Sequence, residues 1–111
     1  MGILNAHKQK TIAKKLAPII QRYKEIDKMF DMDLEVNQVK TLSIELAGSF
    51  MDVLQLCSKY GFPKEKVKTY AQVCSELKTK INSTDEEQKL NDYSNYLLTN
   101  FNSLVKSLGI L

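Results

Sequence analysis

The sequence predicts an all-α protein, an up-down-up-down antiparallel four-helix bundle whose first helix is kinked near Pro18. Three observations carry this. Apolar residues recur in steps of three and four over four successive runs, the spacing that keeps one stripe on one face of a helix. The runs are joined by short links, which turn neighbouring helices antiparallel. Only four glycines and two prolines occur in 111 residues, fewer than a fold of many short strands needs for its turns. A chain of this length is expected to form one domain, 1–111. It can bury about two-thirds of its unfolded surface without disulfides or metal.

The first helix is expected over 5–30, with Ile12, Leu16, Ile19, Tyr23, Ile26 and Phe30 on its stripe and Asn5 placed to cap it. Pro18 removes one backbone hydrogen bond and presses on the carbonyl four residues back. The stripe continues past it, so the helix bends near Ala17 rather than ending. The second helix, 37–60, carries Val39, Leu42, Leu46, Phe50, Val53, Cys57 and Tyr60, with Asp33 or Asn37 as its cap. Gly48 costs it about 1 kcal/mol relative to alanine. Close approach of another helix, or a crossing point in a homodimer, would explain the glycine.

Gly61 ends the second run, Phe62 covers the end with an apolar contact, and Pro63 opens the third. That third helix, 63–82, has Val67, Tyr70, Cys74, Leu77 and Ile81 on its stripe. Ser83 with Glu86, or Thr84 with Glu87, has the spacing of a capping box. The fourth helix, 85–108, follows with Leu90, Tyr93, Leu97, Phe101, Leu104 and Leu108. Gly109 caps its end and Ile110 can fold back on the last turn.

Charge follows the same divisions. Residues 1–30 hold seven basic and two acidic side chains, residues 31–62 two and five, residues 63–82 five and two, and residues 83–111 two and four. The net charges are therefore +5, −3, +3 and −2, giving +3 for the chain. Alternating signs draw sequential helices together, although exposed pairs contribute only about 0–1 kcal/mol each.

The residue inventory argues against catalysis and metal binding. His7 is the only histidine, so a nucleophile–base–orienter set has no imidazole to use. Cys57 and Cys74 lie on apolar stripes about two helical turns out of register, too far for a disulfide or a shared metal, and read as buried thiols. Asp31, Asp33 and Glu35 alternate like the start of a calcium loop, but its glycine and distal glutamate are missing. No cofactor is implied. Gly2 is followed at position 6 by Ala6 where myristoylation wants Ser or Thr. No apolar run reaches the roughly 18 residues of a membrane span, and no secretory core is present, so a cytoplasmic location is expected.

Two constellations point to partners. Lys8, Lys10, Lys14, Lys15, Arg22 and Lys24, with His7 and Lys28, lie mostly off the first stripe and make the first helix strongly positive. They suit an anionic partner, whether an acidic protein surface, nucleic acid or anionic lipid, and the partner expected for the chain is another protein with an acidic or apolar surface. Separately, Cys57, Gly61, Phe62, Val67 and Tyr70 fill the spacing of a helix–turn–helix. The resemblance covers about 20 residues. It would make Lys64, Lys66, Lys68, Thr69 and Gln72 nucleic-acid-facing.

The leading expectation is a non-enzymatic bundle acting through protein–protein interaction, as a regulator, adaptor, or immunity- or inhibitor-type protein from a phage or mobile element. This is analogy of size and architecture with small immunity and phage inhibitor proteins. The alternative is a nucleic-acid-binding regulator using 56–72. A homodimer is compatible with both.

Overall fold

A computed structural model describes residues 6–109, and these form four α-helices and no strand. The helices are α1 (Ala6–Met29), α2 (Val36–Lys59), α3 (Lys64–Ser83) and α4 (Glu87–Ser107). They pack as a bundle with α2 at its centre. Helix α2 contacts each of the other three, and α3 also packs on α4, whereas α1 rests mainly on α2. The longest dimension is 43 Å, close to the ~36 Å of a helix of α2's length at 1.5 Å per residue, as helices packed side by side along a common axis give.

The core follows the stripes. Ile12, Leu16 and Ile26 of α1, Leu46, Phe50, Val53 and Cys57 of α2, Cys74, Leu77 and Ile81 of α3, and Leu90, Leu97, Phe101 and Leu104 of α4 are buried together. Ala47 and Leu54 of α2 and Leu98 and Val105 of α4 join them from beyond the marked stripes. Helix α2, in contact with all three other helices, buries a wider arc than its marked stripe. One aromatic chain crosses all four helices. Tyr23 lies 4.7 Å from Phe101, Phe101 stands edge-on to Phe50 at 5.4 Å, and Phe50 is 6.0 Å from Tyr70, centroid to centroid. Such pairs add about 0.5–1.5 kcal/mol each beyond burial.

The α2–α3 turn is closed as its residue types require. Gly61 takes φ +86°, in the left-handed region where a side chain is costly. Its N–H reaches the Ser58 carbonyl at 3.4 Å, and the Phe62 N–H reaches Cys57 O at 3.0 Å. This is the paired bonding of a Schellman motif. Phe62 is 2% exposed and seals the helix end. Pro63 precedes the first helical residue, Lys64. At the other end of the chain Gly109, at φ +74°, donates to Lys106 O at 3.0 Å.

Three local expectations are corrected. Helix α2 is capped by Glu35 rather than Asp33 or Asn37: the Glu35 N–H donates to Gln38 Oε1 at 2.9 Å, the reciprocal half of a capping box. Neither predicted capping box forms before α4. Ser83 remains in α3 and donates to Thr79 O at 2.7 Å, while Thr84 Oγ1 accepts from the Glu86 N–H at 3.2 Å, outside the helix. The Ser83 hydroxyl, spent on the Thr79 carbonyl one turn back, is not available to cap α4. Gly48 is exposed, and nothing lies within 4 Å of where its Cβ would stand. No neighbouring helix requires that glycine.

Helix α1 runs through Pro18, which is exposed, without a break. The expected caps at Asn5 and Ile110 lie outside the described residues.

Candidate functional site

The predicted basic face divides in two. Successive helical residues are turned by about 100°. Lys10, Lys14, Lys24 and Lys28 therefore lie opposite the buried Ile12, Leu16 and Ile26, on the outward side of α1, and all four are exposed. Lys8 falls in line with the stripe, one turn before Ile12, and Lys15 and Arg22 fall on its flank. Lys8 Nζ is 3.5 Å from where a Cβ on Gly61 would stand, at the end of α2.

Arg22 is engaged within the protein. Its Nε donates to Glu45 Oε2 at 2.6 Å and another guanidinium nitrogen donates to Glu45 Oε1 at 3.0 Å, a two-pronged pair from α1 to α2. A third bond of 3.0 Å goes to Glu25. Donating to Glu45 and then to Glu25 raises the guanidinium's already high pKa, and Arg22 in turn holds the Glu45 carboxyl below its usual range. Among the described residues, Lys10, Lys14, Lys15 and Lys24 are in no ion pair. The sequence shows the charge of these groups; the acceptor, Glu45, stands 23 positions from Arg22, and only the packing of α1 on α2 brings it there.

Lys64, Lys66, Lys68, Thr69 and Gln72 are all exposed on the first half of α3. Thr69 Oγ1 is used locally, donating to Glu65 O at 2.9 Å. The helices of a helix–turn–helix cross at about 90–120°. Here α2 and α3 pack along their lengths: Cys74 Sγ, well beyond the turn, still reaches Ala47 O at 3.4 Å.

The thiols of Cys57 and Cys74 are unoxidised and buried, and burial pushes both up to about 11. His7 is exposed in the first turn of α1. Among the described residues no three His, Cys, Asp or Glu side chains gather closely enough to hold a metal ion, and no helix is long and apolar enough to cross a membrane.

Three surface depressions lie away from the two predicted basic faces, and two smaller ones lie on them, one beside Lys66 and Thr69 and one beside Lys24. A polar one of about 330 Å³ lies between the α1–α2 link and α4, with Asp33, Glu87, Asn91 and Asn95 in its wall. A shallow apolar one of about 350 Å³ is formed by Met29, Leu34 and Leu42, close in sequence to Met32, which is 65% exposed. The largest, about 460 Å³, runs between α3 and α4 with Val73, Leu77 and Tyr93 beside Glu76, Lys80, Asp92 and Tyr96. Sequence reasoning misses this last groove because Tyr96 lies off every stripe, and its 55% exposure emerges only when the helices are assembled.

The chain matches no protein family, curated protein or solved structure in the comparisons made.

Proposed function

We propose that the chain is a non-enzymatic helical bundle acting in the cytoplasm by protein–protein contact. Its role is that of a regulator, adaptor, or immunity- or inhibitor-type protein of a phage or mobile element. One observation carries the reading: Lys10, Lys14, Lys15 and Lys24 stand exposed along α1 while no described carboxylate pairs with them. Ammonium groups left without internal acceptors raise the local potential and steer an acidic surface onto the helix. Arg22, tied to Glu45, contributes to the field rather than to direct contact. The burial of both thiols and their raised pKa support a non-catalytic role.

The same reading takes the chain as one domain running up-down-up-down, with α1 bent at Pro18. Lys8 lies by Gly61 and Arg22 by Glu45, and likewise Ala47 lies by Cys74 and Phe50 by Tyr70, so position rises on one helix as it falls on the next, which supports antiparallel α1–α2 and α2–α3. Ser43–Ser94 and Phe50–Phe101 share one offset and so support parallel α2 and α4.

The test is affinity purification of the full chain from its native host at low and high salt, beside a Lys10→Glu/Lys14→Glu/Lys24→Glu variant. A stoichiometric partner protein, released by salt and lost in the variant, is expected. Repeated recovery of the chain alone, or equal retention by the variant, overturns the reading. A homodimer seated on the exposed Gly48 side of α2, away from the basic face, is compatible with this reading, and light scattering reports it.

A second reading, nucleic-acid binding, rests on the exposure of Lys64, Lys66, Lys68, Thr69 and Gln72 on one helix. It requires salt-dependent duplex binding that weakens on Lys64→Ala/Lys66→Ala/Lys68→Ala substitution. A gel shift at low salt without a retarded band eliminates it.

A further inference from the structure

The groove between α3 and α4 has the chemistry of a cation receptor. Val73, Leu77 and the ring of Tyr93 form its apolar side, while Tyr96, 55% exposed, leaves a second aromatic surface open to solvent. Two carboxylates border it. Glu76 is in no ion pair among the described residues, and Asp92 accepts only an amide bond, from Gln88 Nε2 at 3.1 Å. One cation already visits the site: Lys80 Nζ lies over the Tyr93 ring, 5.8 Å from its centroid. That distance is at the outer edge of a cation–π contact, so Lys80 marks the preference of the site without saturating it.

We propose that this groove receives an arginine side chain of a partner protein. A guanidinium is flat, so it stacks on a tyrosine face while its edge donates to a carboxylate, and it sheds water more readily than an ammonium. Tyr93 and Tyr96 supply the faces; Glu76 and Asp92 supply the acceptors. The arginine comes from another protein, because the only arginine of this chain is Arg22, held by Glu45 and Glu25. The site is separate from the basic side of α1 and does not depend on it.

The experiment titrates acetyl-Gly-Arg-Gly-amide, and the same peptide with neutral citrulline for arginine, into the full chain, following the ring resonances of Tyr93 and Tyr96 by NMR. The arginine peptide is expected to give saturable shifts at both rings, with the citrulline peptide about tenfold weaker. Tyr96→Ala and Glu76→Gln should each weaken binding about three- to tenfold. Lys80→Ala, which removes the resident cation, should strengthen it about threefold. These three positions are exposed, so the substitutions leave the core intact. The absence of saturable shifts, equal binding of the two peptides, or binding unchanged by Tyr96→Ala overturns the proposal.

Discussion

Ser43 Oγ and Ser94 Oγ lie 2.7 Å apart, joining α2 to α4 inside an apolar core. The residues are 0% and 3% exposed, so water is not available to replace either partner. Removing one hydroxyl strands the other, which costs about 1–3 kcal/mol, whereas removing both is close to neutral. Ser43→Ala and Ser94→Ala should therefore each destabilise the protein, and the double variant should recover most of the loss. Urea unfolding of the four proteins in a double-mutant cycle measures the coupling. Strictly additive losses would show that the pair is not the source.

Two glycines should respond to alanine with opposite sign. Gly48 sits inside α2 with open space where a Cβ would go. Gly48→Ala should stabilise by about 0.5–1 kcal/mol, through reduced chain entropy and better helix propensity. Gly61 holds φ +86° and closes α2. Gly61→Ala should destabilise by about 1–2 kcal/mol, the cost of a side chain in the left-handed region. Thermal melts of the two variants give the signs directly.

The Arg22–Glu45 pair should matter little to stability despite its geometry. Its side chains are 37% and 40% exposed, so solvent screens them. Glu45→Gln is expected to cost no more than about 1 kcal/mol, and less in high salt. Because Arg22 lowers the Glu45 pKa, the contribution is complete above the ordinary carboxylate range. It is lost as pH falls below about 4, where the unfolded carboxyl already carries its proton. Unfolding free energies of wild type and Glu45→Gln should converge there, and a gap that persists at low pH would contradict this.

The thiols of Cys57 and Cys74 should react slowly with Ellman's reagent in the native protein and fast in denaturant. Both are buried and hold their protons to about pH 11. Their folded pKa lies above the unfolded one, so stability should decline as pH rises from about 8.5, where unfolded thiols ionise first. A Cys57→Ala/Cys74→Ala variant should show a shallower decline between about pH 8.5 and 10. Rapid native-state labelling would mean that α2 or α3 opens locally.

The order of the helices, the stripe each one buries and the closure at Gly61 are legible in the sequence. Each is a property of one segment: a period of three and four, a left-handed glycine, an apolar residue behind it. The site is legible only as charge. Lys10, Lys14, Lys15 and Lys24 are recognisable as a basic set, but nothing near Arg22 in sequence reveals that Glu45 takes its guanidinium.

What tertiary structure alone decided has a single physical origin. Burial beyond the stripe depends on how the neighbours surround a helix, and α2, in contact with all three others, encloses Ser43, Ala47 and Leu54 in addition to its marked residues. The spacing of α3 from α4 likewise sets Tyr93, Tyr96, Glu76 and Asp92 around one groove. Sequence period fixes which side of each helix faces inward. The assembled distances between helices decide which polar groups meet there and which stay exposed.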